Sequence, residues 1–223
     1  AAFCSKQRET NGLQFFTPAM NARALERMSL KTHLHHAIER DELVLHFQPR
    51  IDIAGGRTLG MEALVRWRHP ELGLVSPAKF IPIAEATGLI VPLGEWVLRD
   101  ACRQLRDWRA RLPNAAPISV AVNISAKALA QTGLVRDVQA VLEETGLPPG
   151  SLTLEVTEGV LMKNPQASAI MLSQLKCLGV LLSLDDFGSG YSSLNYLHRL
   201  PLDVLKIDRS FIRALKPGDT KAT

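Results

Sequence analysis

Six short runs in this chain are apolar throughout or alternate apolar with polar side chains, and stretches of helical spacing separate all but the first two. The runs are LVLHFQ, TLGMEALVRW, ISVAVNIS, LTLEVTE, VLLSLDD and DVLKID. Strand followed by helix at this recurring interval predicts a parallel sheet built from βα units. A closed (β/α) barrel has eight strands and takes about 250 residues, whereas six such runs stand in these 223 residues. The expected fold is therefore α/β, a TIM-like (β/α) barrel that is incomplete, with about six of eight strands present. Ahead of the first run, LQFF reads as a short strand after a helix remnant. Thr17-Pro18 then supplies an N-cap and N1 pair for a helix reaching about Arg40.

Side chains alternate faces along a strand, so parity sorts the polar residues. Glu62 shares its face with Leu64 and Arg66, Asn123 with Ser119 and Ala121, Glu155 with Thr153, Asp185 with Ser183, and Lys206 with Asp208. The other parity is apolar, as in Val120 and Val122, Leu152 and Leu154, or Leu182 and Leu184. One face packs on helices, and the other gathers acids, an amide and a lysine. The strand ends that precede helices form the rim where active sites of barrels sit. Glu62, Asn123, Glu155 and Asp185 converge there, with Asp186 a further candidate.

Two unit charges about 4 Å apart repel by roughly 4 kcal/mol at an effective dielectric near 20. Several carboxylates on one rim therefore demand protons or cations, and Lys206 and Arg66 offset only part of the charge. Oxygen ligands with one amide suit Mg²⁺ or Mn²⁺, so a divalent site, a pair of ions, is expected. Each residue alone also has a plainer reading. Asn123-Ile-Ser can cap a helix, and Asp185-Asp186-Phe-Gly can begin a turn. Lys206 within an apolar strand needs a partner, and five strand-end positions in consistent parity favour a site.

Composition narrows the class. With 46% hydrophobic and 22% charged residues, the chain can bury one sizeable core. No apolar run approaches the roughly 18 residues of a membrane span, and AAFCSKQRET has no signal-like stretch. A cytoplasmic location is expected, with an anchor outside these residues left open. Cys4, Cys102 and Cys177 are too scattered for a disulfide framework or a zinc site. The net charge of +4 is modest. Its densest run, Arg99, Arg103, Arg106, Arg109 and Arg111, reads as a solvated helix face and lacks the aromatic series of a nucleic-acid platform. No nucleic-acid polymer is expected as partner, while a small acidic substrate fits. His33, His35 and His36 read as surface histidines. Gly188-Ser189-Gly190 is a flexible turn and not a dinucleotide fingerprint, and no Ser/His nucleophile pair appears.

The segment GMEALVRWRHP resembles the signature of EAL domains. FQPRID, SPAKFIPIAEATGLI, VNIS, LEVTE, DDFGSGYSSL and LPLDVLKIDRSFI resemble its other segments in order, from about Leu30 to Leu215. The resemblance implies a cyclic di-GMP phosphodiesterase of bacterial second-messenger signalling, forming linear pGpG by in-line attack of a metal-activated water. It implies metal ligands at Glu62, Asn123, Glu155, Asp185 and Asp186, and two ions, Mg²⁺ or Mn²⁺. Glu62, Asp186 and Lys206 form the implied catalytic set, Lys206 positioning or helping to deprotonate the water. Gln48, Leu64 and Arg66 would touch substrate, Arg66 near a phosphate. Glu158 would brace the loop DFGSGYSSL, which orders the metal site and shapes a homodimer contact.

The family's AEGVET-like strand end, with a further metal-ligating glutamate, and a glutamine near a QGY-like stretch are expected beyond Thr223. Residues 20–223 thus read as an EAL domain lacking its C-terminal strands. Residues 1–19 read as a tail and linker, AFCSKQRETNGLQFFTP resembling more weakly the end of a GGDEF domain, which implies a tandem GGDEF partner upstream. Two rivals stand beside the enzyme: a catalytically silent module that binds cyclic di-GMP or docks partners, and a different divalent-metal barrel enzyme. Only the ordered motifs exclude the latter.

Overall fold

The apolar parity of the strands turns outward onto helices, and the polar parity turns inward. The computed structural model describes residues 18–113, 117–188 and 198–214. In chain order it contains α1 (Pro18–Ala37), β1 (Leu43–Ile51), β2 (Thr58–His69), β3 (Gly73–Val75), α2 (Pro77–Thr87), α3 (Ile90–Arg111) and β4 (Ser119–Asn123). There follow α4 (Ala126–Leu129), α5 (Leu134–Thr145), β5 (Leu152–Thr157), α6 (Glu158–Lys163), α7 (Pro165–Cys177), β6 (Leu181–Phe187), β7 (Val204–Ile207) and α8 (Arg209–Ala214). One sheet runs in the order β1-β2-β4-β5-β6-β7, with β3 also paired to β2. From β2 to β7 the neighbours are parallel. This is an α/β sheet of TIM-barrel type.

Two expectations need correction. The sheet is not parallel throughout, because β1 runs antiparallel to β2, with Gln48 opposite Glu62 and His46 opposite Leu64. Only residues 52–57 join them, and a parallel crossover needs a dozen residues or more. Asp52 shapes the connection by accepting the N–H groups of Ala54 at 3.3 Å and Gly55 at 3.1 Å, and Gly56 takes φ +65°. There is also a seventh strand: β3 returns on β2, pairing Val75 with Trp67. The first helix ends at Ala37, short of Arg40. The LQFF strand, the Thr17 cap and the proposed GGDEF-like tail lie outside the described residues.

The main core lies between the sheet and α3 to α7. Val120, Val122, Leu154, Leu182 and Leu184 meet Leu105, Val138 and Leu172 there, all fully buried. A second core gathers Leu34, Leu43, Val75 and Ile83 around Trp67 and Phe80, whose rings meet edge to face at 5.8 Å. Helix starts follow their capping residues: Ser125 accepts from Ala128 N at 3.1 Å, and Asn164, followed by Pro165, accepts from Ala167 N at 3.3 Å. Gly146 ends α5 in the left-handed region at φ +65°.

The arginine run is a helix face as expected. Arg99 and Arg103 both pair with Glu144 of α5, and Arg109 donates to the carbonyl of Ile118 at 3.0 Å. Trp108, an aromatic within that run, packs edge-on against Phe47 and offers no stacking platform. Of the three histidines on α1, His33 is not a plain surface residue. Its Nδ1 lies 2.7 Å from Nε2 of buried His69, whose Nδ1 accepts the N–H groups of Glu71 and Leu72. Cys102 and Cys177 are free. No helix among the described residues is long and apolar enough to cross a membrane.

Asp203 anchors the start of β7. Both of its carboxylate oxygens lie 2.6 Å from Lys176 Nζ, and Oδ2 accepts from Leu182 N at 2.8 Å. Partial burial works against the charged form, but the Lys176 and Leu182 hydrogen bonds outweigh it and lower the pKa. A depressed carboxyl pKa contributes stability above its ordinary value of 3.8, and that contribution is lost as pH falls through the folded value. Asp203→Asn should therefore cost about 1 kcal/mol in urea denaturation at pH 7, allowing for solvent screening. The gap from the parent protein should narrow as pH falls below 3.8; a gap that stays constant throughout the acid range would contradict the assignment.

Candidate metal centre

Strand register staggers the inward polar residues from strand to strand, and the tilt of strands in a barrel brings them to one rim. Glu62 of β2 stands beside Ala121, Asn123 of β4 beside Glu155, and Thr157 of β5 beside Asp185. Lys206 reaches up from β7 into their midst. Its Nζ lies 2.9 Å from Glu62 Oε2, 2.7 Å from Glu155 Oε2 and 3.1 Å from Asp185 Oδ2. Asn123 Nδ2 donates to Glu62 Oε1 at 3.0 Å, so both oxygens of Glu62 are held. Asp185 Oδ1 accepts from Asp186 N at 2.9 Å. Glu155 is fully buried, and its Oε1 has no hydrogen-bond partner among the described residues.

Asp186 reaches this group through an irregularity. Strict alternation would send Asp185 and Asp186 to opposite faces. Between the pairs Leu184–Leu205 and Phe187–Ile207, β6 carries one residue more than β7, and Asp186 takes φ +53°. Such a bulge re-aims a side chain. Burial first, then the charges of Asp185 and Asp208, raise the Asp186 pKa, which puts it within the field of the cluster. Asp208, on the face of Lys206, thus belongs to the same electrostatic group. Its shared parity with Lys206 was the signal for that.

The remaining expected residues lie around the cluster. Gln48 is opposite Glu62 across the β1–β2 ladder. Leu64 and Arg66 line a neighbouring cavity of about 370 Å³, together with Asn123, Thr157 and apolar Ile81 and Ile124. Glu62, Glu155, Asp185 and Lys206 are not among its walls. Arg66 Nη1 donates to the carbonyl of Val65 at 2.8 Å, so its guanidinium is turned onto its own strand. Glu158, 2% exposed at the start of α6, accepts from Gly188 N at 3.1 Å through Oε2. It thereby ties α6 to the turn that follows the aspartates; residues 189–197 of that loop lie outside the described residues.

The charge balance decides what the cluster suits. Burial opposes the Lys206 ammonium, but the hydrogen bonds it donates to Glu155 and Glu62, and their charges, overcome it and raise its pKa far above the usual lysine value. Burial raises the Glu155 pKa, Glu62 and Asp185 push it the same way, and Lys206 pulls against them. One ammonium against three carboxylates leaves two negative charges. Glu62, Glu155 and Asp185 each offer an oxygen within 4.8 Å of the others. An all-oxygen set with an adjacent amide fits a hard cation, so this cluster could hold a metal ion.

Comparison with known proteins gives the family. The family model described as EAL domain matches residues 31–223. The chain belongs to the EAL domain family. It is 49% identical, over 96% of its length, to MucR of Pseudomonas aeruginosa, a bifunctional diguanylate cyclase/cyclic di-GMP phosphodiesterase. It is 48% identical, over 93% of its length, to the cyclic di-GMP phosphodiesterase NbdA of the same organism. It covers 31% and 26% of those two proteins, so it spans about a third or less of their length. Among solved EAL structures, a MucR phosphodiesterase in complex with cyclic di-GMP superposes with a TM-score of 0.80 at 49% identity, covering 86% of this chain and 77% of that one.

The electrostatics of this EAL domain lead to a stability test. Removing Lys206 leaves Glu155 buried without its counter-charge, and breaking a buried pair costs about 3–5 kcal/mol. Lys206 keeps some solvent contact, so Lys206→Met should destabilise the metal-free protein by about 2 kcal/mol at pH 7. The loss should shrink as pH falls through the raised Glu155 pKa, because a neutral carboxyl does not need the ammonium. Denaturant titrations with chelator over a pH series would show this, and a pH-independent loss would contradict it.

Proposed function

We propose that this domain hydrolyses one phosphodiester bond of cyclic di-GMP to give linear pGpG. In this reading two divalent cations, Mg²⁺ or Mn²⁺, are held by Glu62, Asn123, Glu155, Asp185 and Asp186. The observation that carries it is the meeting of three strand-end carboxylates on Lys206 Nζ within one rim. The similarity to MucR, solved as a phosphodiesterase in complex with cyclic di-GMP, supports the choice of substrate.

A bound divalent cation supplies Lewis-acid polarisation of a phosphoryl oxygen and makes water acidic enough to serve as nucleophile near neutral pH. The protein's own groups do the rest. Asn123 keeps Glu62 oriented through its amide. Lys206, held protonated by its carboxylate partners, orients the attacking water and balances charge in preference to taking a proton. Asp186, at the bulge beside Asp185, accepts that proton on a carboxylate oxygen. Arg66 turns from its own backbone to a substrate phosphate, with Gln48 and Leu64 against the substrate. Glu158 holds Gly188, and with it the turn after Asp185 and Asp186.

The same reading includes a homodimer formed through the loop after β6 and a GGDEF domain upstream. The bifunctional name of MucR supports the latter.

Glu62→Ala should abolish cyclic di-GMP hydrolysis, and chelation with EDTA should do the same to the parent protein. Turnover that survives either treatment would exclude the mechanism, and binding without turnover in the parent would favour a silent module. Lys206→Ala should lower kcat about a hundredfold or more while KM changes little, since its work is on water and not on the bases. Arg66→Ala should raise KM as well. A lysine variant with weakened binding and unchanged kcat would make Lys206 a structural ion-pair partner only.

A further inference from the structure

Below the carboxylates, the inner face of the sheet buries two hydroxyl groups that the mechanism does not use. Thr153 precedes Glu155 by two positions on β5, so the two share a face. Ser183 of β6 is the register partner of Glu155, one strand spacing away. All three residues are fully buried. Thr153 Oγ1, Ser183 Oγ and Glu155 Oε1 each have no hydrogen-bond partner among the described residues. Three such orphans on contiguous positions are unusual, because buried polar groups are nearly always satisfied.

Three neighbouring buried groups without partners among the described residues suit a small polar guest. Barrel interiors are ordinarily filled by layers of bulky branched side chains. Here the register partners of Thr153 are Ala121 on one side and Leu181 on the other, and Ala121 and Ser183 supply small side chains beside it. Water is the ligand whose hydrogen bonds match: buried waters typically make about three bonds to groups of this kind. It would donate to Glu155 Oε1, which only accepts, donate to one hydroxyl oxygen, and accept the proton of the other hydroxyl.

We propose that Thr153 and Ser183 enclose a water molecule against Glu155 Oε1, and that this water fixes the carboxylate so that Oε2 faces the rim. Thr153 and Ser183 are thus positioning residues, acting through Glu155. Partners of this kind orient ligand side chains, and their loss commonly costs about 10–100-fold in metal affinity. The proposal rests on the reading of Glu155 as a metal ligand.

The test has two arms on the intact protein. In a high-resolution crystal structure, density for one water within hydrogen-bond distance of all three oxygens is expected. Hydroxyls bonded instead to backbone carbonyls, with no such density, would overturn the proposal. In the second arm Mn²⁺ alone is titrated by calorimetry. Ser183→Ala and Thr153→Val should each weaken Mn²⁺ binding about tenfold, and Thr153→Ser should restore it, with KM for cyclic di-GMP unchanged. Variants that bind Mn²⁺ as tightly as the parent would overturn the positioning role. Should Thr153→Val fail to fold, Ser183→Ala and Thr153→Ser still decide the matter. Undiminished Mn²⁺ binding by Glu155→Gln would overturn the metal reading instead, and the crystallographic density then judges the water by itself.

Discussion

The contact of Lys206 Nζ with Glu62, Glu155 and Asp185 joins four strands at one point, and most of the rim depends on it. Three carboxylates from β2, β5 and β6 repel one another, and burial of Glu155 adds to the cost of charge. A cation among them makes the arrangement tolerable. Because the ammonium is tethered to β7, the interaction also holds the far end of the sheet to β2, although these strands are not neighbours. The residual negative charge makes the same structural contact a site for chemistry. A cluster neutralised completely by side chains would have no use for a metal ion.

Around that contact, departures from regular strand geometry do specific work. The bulge in β6 turns two consecutive aspartates towards one field, which an unbroken strand cannot do. Glu158 then fixes the turn after the bulge through Gly188 N, and Asp203 pins β7 against β6 from the other end. At the opposite rim Gly60 lets β2 and β4 approach. A Cβ there would stand 2.7 Å from the carbonyl oxygen of Ser119, so any side chain would force the strand carrying Glu62 aside.

Parity made much of this legible before any coordinates. Glu62, Asn123, Glu155, Asp185 and Lys206 lie on one face because a strand alternates strictly, and strand ends before helices reach one rim. What escaped was whatever depends on a break in alternation or on distant pairing. The side of Asp186 depends on the bulge, which leaves no mark in local hydropathy. The antiparallel course of β1 was open to inference, since residues 52–57 are too few for a crossover. Strand β3 is only Gly73–Val75, too short to show a period. The partner of His33 lies 36 positions away, and nothing on α1 itself announces it.

Arg66 occupies a different mechanical position from the carboxylates. Glu62, four residues earlier on β2, is fixed by Asn123 and Lys206, so charge determines where it lies. Arg66 is flanked by Val65, which packs against both hydrophobic cores, and by Trp67, wholly inside the second. The second core is made by α1, α2, the start of α3 and strands β1, β2 and β3, and the His33–His69 contact binds α1 to it. Close-packed interiors transmit small displacements, since they have little free volume to absorb them. The orientation of Arg66, and of the cavity wall it shares with Leu64, therefore depends on how α1 and α2 pack. Perturbing that packing should act on the Arg66 side of the site before it disturbs the carboxylates, which are held by ion pairs across the sheet and not by the second core.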